Sequence, residues 1–351
     1  MATAPAPAVQ TGVRTTLWLL LVVYIFNFLD RQIVNILAEP IARDLELSDT
    51  QIGLMTGLAF ALFYTVLGLP IARYADRPTT SRPKLIAIAL ALWSGMTALC
   101  GLAQNFVQLL LARIGVGVGE AGCTPAAHSL ISDMVPRERR ASALAFYALG
   151  IPIGTVLGMV IGGLLSDAIG WRRTFLVVGL PGVLLALVVA WLMKDPRHRG
   201  TSTVAAAPPI GNAAALRAIF GSRALVLLMI AASSAAFLSY GKTTWATIFF
   251  QRTHGLSPGE TGLYFGIING LAGIAGTWLG GKIADKYGAT NRRHVLTAPA
   301  IGMAVAAPLA YLAYAASTWQ SALAILIVPT LLNSLYSVSY THLTLPTICS
   351  V

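Results

Sequence analysis

The chain contains a series of apolar runs that are long enough to cross a lipid bilayer. A spanning helix needs about 20 apolar residues. Runs without a charged residue cover residues 15–29, 52–72, 85–112, 141–166, 174–193, 224–241, 261–281 and 295 onward. The last run has room for two helices, and residues 107–133 predict a further helix with Arg113 and Glu120 inside it. The pattern therefore predicts about ten transmembrane helices.

Composition supports this interpretation. Hydrophobic residues make up 56% of the chain and charged residues only 11%, and the mean hydropathy is +0.73. Soluble domains are far more polar. The sequence therefore predicts an all-α membrane protein that crosses the bilayer many times.

The basic residues predict its orientation. With a cytoplasmic N-terminus, seventeen Lys and Arg residues fall in inner loops and four in outer loops. This excess corresponds to the positive-inside rule and predicts that residues 1–14 are cytoplasmic, in a cell (inner) membrane protein. The net charge of +11 is spread over short loops, a distribution that does not favour nucleic-acid binding.

The predicted helices contain five charged side chains, four of them on the first and fourth helices. Asp30, Arg31, Arg113, Glu120 and Lys242 lie there, although a charge at mid-bilayer costs about 2.5–3.5 kcal/mol on insertion scales. At 1.5 Å per residue, Asp30 and Arg113 lie at similar depths, roughly 10–12 Å from the outer ends of their helices, which makes them candidates to pair.

Two interpretations of this set stay open. Four of these residues, Asp30, Arg31, Arg113 and Glu120, sum to zero charge, and a neutral structural network is one reading. The other is proton coupling: burial raises the pKa of a carboxyl group, a nearby Arg lowers it, and a conformational change that alters the pairing changes proton affinity.

The chain also repeats itself. LSDTQIGL at 47–54 matches LSPGETGL at 256–263, and the offset of 209 residues continues without a gap to Asp76 and Asp285. Such a match predicts two duplicated, parallel bundles. Residues 194–222 between them are rich in Pro, Ser, Thr and Ala, and we expect a cytoplasmic linker there.

The repeated loop carries a family resemblance. GGKIADKYGATNRR (280–293) resembles the loop motif of the major facilitator superfamily, and ARYADRPTTSRPK (72–84) is a second, less complete copy. NFLDRQ (27–32), ARIGVGVGEA (112–121), PRERRASA (136–143) and WRRTF (171–175) are similar to the spinster-like branch of that superfamily.

The resemblance implies a fold and a mechanism. The fold would be two pseudo-symmetric six-helix bundles that rock between inward-open and outward-open states. The expected boundaries are 15–193 for the N-terminal bundle and 223–337 for a partial C-terminal bundle. In the spinster-like branch, positions that match Asp30, Arg31 and Glu120 resemble proton-coupling residues.

The loop motifs imply gating residues at the cytoplasmic face. The matching positions are Asp76, Arg77 and Arg82 in the first copy and Gly281, Asp285, Lys286, Gly288, Arg292 and Arg293 in the second. A carboxylate just past a helix end can pair with Arg and approach the positive N-terminus of another helix. A solvated loop that only sets topology is the alternative.

Polar residues on the predicted helices are candidates for a substrate cavity: Asn27, Tyr64, His128, Tyr147 and Lys242. A hydrogen bond between helices is the alternative role for such residues. Gly150, Gly154, Gly158 and Gly162 recur every four residues, which predicts one helix face that allows close backbone approach.

The end of the chain departs from this pattern. VSYTHLTLPT, within residues 338–351, resembles the translation of a sequencing adapter. We expect this tail to be non-native and the last two helices of the fold to be missing.

These features predict a monomeric secondary active transporter, without a cofactor and without enzymatic activity, that moves a small organic solute together with protons. The solute would be amphiphilic or anionic, and the handling of lysolipids by animal members of the spinster-like branch suggests a lysolipid-like molecule. A sugar-acid or drug transporter of another branch is one alternative, and a non-transporting membrane receptor or scaffold is another.

Overall fold

The computed structural model describes residues 7–196, 217, 220–288 and 294–335. Within these residues the chain forms α-helices joined by short loops and no strand. The helices are α1 (Pro7–Asp44), α2 (Asp49–Gly53), α3 (Ala59–Asp76), α4 (Arg82–Cys100), α5 (Phe106–Glu120), α6 (Cys123–Met134), α7 (Arg140–Ala148), α8 (Gly150–Leu192), α9 (Arg223–His254), α10 (Pro258–Gly288), α11 (His294–Tyr314) and α12 (Trp319–Ser334). A π-helical turn (Leu54–Leu58) joins α2 to α3.

The number of apolar segments agrees with the sequence. Seven helical stretches are long and apolar enough to span a membrane, and two shorter apolar helices cover Pro299–Tyr314 and Trp319–Ser334. One of the seven, Arg137–Leu192, contains Gly170 with φ 79°. This left-handed conformation favours glycine and divides the stretch in two. The described residues thus contain ten apolar segments, the predicted number.

The two repeats start their helices in the same way. Ser48 Oγ accepts a hydrogen bond from Gln51 N (3.3 Å), and Gln51 Oε1 accepts one from Ser48 N (2.9 Å). At the equivalent positions, Ser257 Oγ accepts from Glu260 N (3.1 Å) and Glu260 Oε2 accepts from Ser257 N (2.9 Å). Both are capping boxes, which satisfy otherwise unpaired N–H groups at a helix start. The sequence repeat is therefore also a repeat of local structure.

The described contacts divide the chain into two compact units. The first comprises Met1–Val23, Ile41–Tyr147 and Phe175–Ile248. The second comprises Tyr24–Pro40, Ala148–Thr174 and Phe249–Val351. Each unit combines segments from both predicted bundles, and the predicted bundle boundaries stay a prediction. The closing residues 338–351 lie outside the described part of the chain.

The glycine face of α8 packs against α1 within the second unit. A Cβ atom added at Gly150 or Gly154 would collide with Tyr24, Ile25 or Phe28, and one at Gly158 would lie 2.7 Å from Leu29 O and 2.8 Å from Gln32 Cβ. The predicted close approach is confirmed, and its partner is the segment of α1 that contains Asp30. Glycine is required at these positions because the backbones of α1 and α8 are in contact.

Gly154→Ala is expected to lower the free energy of unfolding by about 1–3 kcal/mol, because the new methyl group meets Ile25 O and Phe28 Cβ. Gly68→Ala in α3 is the control, since nothing lies within 4 Å of its added Cβ. That change should be neutral or stabilising by up to about 1 kcal/mol. Unfolding of the purified proteins in detergent measures both, and equal stability of the two variants would contradict the packing described here.

Candidate functional site

Helix α5 contains a buried base and a buried acid. Arg113 is 1% exposed and Glu120 is fully buried. They are seven residues apart, two helical turns, and therefore lie on the same side of α5. A Cβ atom added at Gly119, beside Glu120, would lie 2.7 Å from Trp93 N. The acid is thus held where α5 and α4 are in backbone contact, a position that a larger residue at 119 would disrupt.

Aromatic rings connect Arg113 to Tyr64 in the first unit. The Arg113 guanidinium lies 5.6 Å from the centre of the Phe60 ring, and Phe60 stacks on Tyr64 with ring centres 5.5 Å apart. Within the described residues, Nε and Nη1 of Arg113 have no hydrogen-bond partner. A π-helical turn ends two residues before Phe60, and such turns are frequent at functional sites.

The stretch of α1 in the second unit contains a buried polar series. Its buried members are Asn27, Asp30, Gln32, Asn35 and Glu39. Asp30 is 1% exposed, whereas Arg31 is half-buried with its guanidinium 5.0 Å from the centre of the Phe28 ring. Asp30 and Arg113 belong to different units, so their predicted pairing stays a prediction.

The candidate cavity residues have different environments. Asn27 is fully buried, and in the described part of the chain neither its Nδ2 nor its Oδ1 has a hydrogen-bond partner. Tyr147 is 1% exposed and meets the exposed His128 edge to face, with ring centres 5.6 Å apart. Lys242 is half-buried in α9. His128 and Tyr147 therefore form one contact, and their role in binding a substrate stays a prediction.

The first loop motif forms a buried ion-pair network. Arg82 is fully buried, and its Nη2 and Nε donate to the two carboxylate oxygens of Asp195 at 2.5 and 3.0 Å. Its Nη1 also donates to Asp133 (2.7 Å) and to Ser129 (3.2 Å). Ser129 Oγ in turn donates to Asp76 Oδ1 (3.3 Å). Two of the predicted gating residues, Asp76 and Arg82, thus meet in one network, which we call the Arg82 network.

The remaining residues of the two loop motifs differ in their exposure. Arg77 is exposed, and its guanidinium lies 5.6 Å from the centre of the Tyr74 ring. In the second copy, Gly281 is half-buried and Lys286 exposed near the end of α10, whose last residue is Gly288. Asp285 lies in α10 without a described side chain, and Arg292 and Arg293 lie outside the described residues.

A second set of polar contacts joins distant parts of the chain inside the second unit, at helix ends that the predicted topology places outside. Arg252 Nε in α9 donates to Glu39 Oε2 in α1 (2.5 Å), and Gln251 Nε2 donates to Ile36 O (3.1 Å). Glu39 is buried and Arg252 about one third exposed. These bonds connect residues more than 200 positions apart.

Asp167 of α8 supplies a further contact of this outer set. Its Oδ2 accepts hydrogen bonds from Ser257 Oγ (2.6 Å) and Gly259 N (3.0 Å). Both donors lie at the start of α10, where the helix dipole stabilises a carboxylate. We call Glu39, Arg252 and Asp167, with the groups that they bind, the outer contacts.

Several of these residues were not predicted as functional: Asp133, Asp195, Glu39, Arg252 and Asp167. Asp195 lies in the predicted linker, and the others lie at helix ends, where a charged residue is ordinarily solvated. No local pattern identifies their partners, because each bond spans 50 or more residues of sequence.

Known proteins resemble the chain over most of its length. The family model of the Major Facilitator Superfamily matches residues 20–345. An MFS-type efflux pump of Mycolicibacterium smegmatis is 37% identical over 273 residues, which cover 77% of this chain and 62% of the relative. Protein spinster homolog 1 of Mus musculus is 29% identical over 322 residues, or 86% of this chain and 60% of the relative.

A solved structure resembles the whole described fold. The crystal structure of a bacterial homolog to the human lysosomal transporter Spinster, in an inward-facing and unoccupied conformation, has a TM-score of 0.83 and 32% sequence identity. The match covers 97% of this chain and 75% of that one.

The chain spans about three fifths of the length of the curated relatives described above. The family model nevertheless covers nearly all of it. These similarities agree with the ten apolar segments and with the loop motifs. The chain is a multi-pass membrane protein that belongs to the Major Facilitator Superfamily, a family of transporters rather than enzymes, and within it to the spinster-like branch.

Proposed function

We propose that the protein is a secondary active transporter that couples movement of a small organic solute to protons by alternating access. The observation that carries this proposal is the burial of two carboxylates, Asp30 and Glu120, within membrane-spanning helices. Acidic residues in such positions are costly, and proton relays are among their main uses.

The physical basis of coupling is the environment of each carboxylate. A carboxyl group that loses water binds a proton more tightly, and a nearby cation reverses that effect. Arg31 adjoins Asp30 in sequence, and Arg113 lies two turns from Glu120 on α5. A transporter that changes these surroundings between its two states would bind a proton in one state and release it in the other.

One set of breakable polar contacts supports alternating access. The outer contacts join α1 and α8 of the predicted N-terminal bundle to α9 and α10 of the predicted C-terminal bundle, at helix ends that the predicted topology places outside. Rocking transporters need contacts of this kind that form in one state and break in the other. We propose an inner membrane protein with a cytoplasmic N-terminus that acts as a monomer in the lipid bilayer.

Glu39→Gln is expected to raise the population of outward-opened molecules about fivefold, because it weakens a partly exposed ion pair worth about 1 kcal/mol. The measurement is the labelling rate by an impermeant maleimide of Ile36→Cys, a fully buried position beside this pair, in a chain whose native cysteines are replaced by alanine. Glu46→Gln, at an exposed acid, is the control. Identical rates in both backgrounds would contradict a gating role of Glu39.

The proposed substrate is amphiphilic or anionic, and lysolipid-like molecules are the first class to test. The membership of the spinster-like branch and the half-buried Lys242, which offers a cation to an anionic headgroup, support this choice. Transport of a drug is the second candidate, because an efflux pump is among the similar proteins.

Uptake into liposomes tests the proposal. The full-length protein is expected to accumulate a lysolipid or another amphiphilic anion against its gradient when a pH gradient is imposed, and a protonophore should abolish the accumulation. Equal uptake without any gradient would indicate a facilitator. Binding without transport would favour the receptor or scaffold alternative.

A further inference from the structure

Three helices of the first unit leave an apolar groove on the surface. The groove has a volume of about 300 Å³, at the lower end of the range for ligand sites. Its lining is formed by Pro70, Ile71 and Tyr74 of α3, Leu85, Ile88, Ala89 and Leu92 of α4, and Val118, Gly119 and Gly122 beside them. Every lining side chain except the tyrosine is wholly apolar, so the groove suits a hydrocarbon chain.

The groove exists because its floor is made of small residues. Ala89, Gly119 and Gly122 are buried, whereas the walls formed by Tyr74, Ile88 and Leu92 are exposed. A Cβ atom added at Gly122 would lie 3.4 Å from Ile71 and 3.5 Å from Ala89, in ordinary van der Waals contact. A methyl group therefore fits at position 122, but a longer side chain there would occupy the groove.

One end of the groove is basic. Lys84 is exposed, directly precedes the lining residue Leu85, and lies one helical turn before Ile88 on the same face of α4. Arg77 is also exposed, and its guanidinium lies over the ring of the lining residue Tyr74. The nearby carboxylate of Asp76 accepts a hydrogen bond from Ser129 of α6. Two cations thus lie at one end of the apolar groove, where the predicted topology places the inner leaflet.

We propose that this groove is a binding site for an anionic phospholipid, with one acyl chain against α3, α4 and α5 and the phosphate between Arg77 and Lys84. The charge of the groove end matches an anionic headgroup, and each Lys or Arg near an anionic lipid surface contributes about 1 kcal/mol. The occupied groove would contact Gly119, next to Glu120, so that the lipid touches the segment that carries a proposed coupling residue. The site does not depend on the transport proposal.

Native mass spectrometry of the purified protein tests this site. With equal amounts of phosphatidylglycerol and phosphatidylethanolamine of the same chain length, the protein is expected to retain one phosphatidylglycerol in preference. Lys84→Gln should lower that retention about fivefold. Arg139→Gln, at an exposed residue of the Arg137–Arg139 turn, should leave it unchanged.

Filling the groove tests the chain-binding part. Gly122→Leu should abolish retention of the phospholipid, while Gly122→Ala should keep it; Leu92→Trp narrows the same groove from an exposed wall if the leucine variant does not fold. Equal retention by the protein and its Lys84→Gln and groove-filled variants would overturn the proposal. Equal retention of the two phospholipids would do so as well.

Discussion

Arg82→Met is expected to lower the free energy of unfolding by about 3–5 kcal/mol, the usual cost of removing one partner from a buried ion pair. Arg82 is fully buried, and it holds Asp195, whose side chain is 2% exposed, through both carboxylate oxygens. Without the guanidinium, a buried carboxylate loses its paired charge. Unfolding of the purified protein in detergent measures the loss.

Two comparisons isolate the ion pair. Arg77→Gln removes an exposed cation of the same loop motif, whose guanidinium lies over the Tyr74 ring. It should cost less than about 1 kcal/mol. Arg82→Met combined with Asp195→Asn removes both charges and should recover part of the lost stability. If Arg82→Met and Arg77→Gln lower the free energy of unfolding by the same amount, the Arg82 network does not stabilise the protein.

Asp30→Asn and Glu120→Gln are each expected to reduce proton-driven accumulation of substrate at least tenfold. The amides are close in size to the carboxyl groups and keep hydrogen-bonding atoms, but they cannot take up and release a proton. Both acids are almost completely buried, and under the proposal their protonation changes with the conformation of the protein.

Exchange without a gradient separates coupling from transport. Counterflow of labelled substrate needs no net proton movement, so both variants should retain it. Glu138→Gln is the matched control, since Glu138 is exposed in the turn before α7. Loss of counterflow together with accumulation would indicate damage to the fold or to the substrate site.

The sequence predicts the parts of this fold that depend on local patterns. Hydropathy identifies the spans, because each span meets the membrane requirement by itself. The repeat around Ser48 and Ser257 predicts equivalent helix starts, since a capping box uses residues only three positions apart. The glycines from Gly150 to Gly162 predict a close-packed face for the same reason: their spacing is that of the helix.

Contacts between distant side chains could not be predicted in this way, because nothing in the sequence specifies which of them meet. Arg82 lies in a recognisable motif, but Asp195, which is 113 residues later, has no pattern that identifies it as the partner. The same holds for Glu39 and Arg252, and for Phe60 and Arg113, whose guanidinium lies over the Phe60 ring. These contacts follow from how the helices pack, not from residue spacing along one helix.

Asp30 and Glu120 are proposed to carry the protons that drive transport. This proposal is tested most directly by the internal pH of liposomes that contain the full-length protein and a trapped pH-sensitive dye, after addition of substrate. We expect a substrate-dependent change of internal pH with the unaltered protein and none with Asp30→Asn or Glu120→Gln. An undiminished pH change in both variants would contradict it.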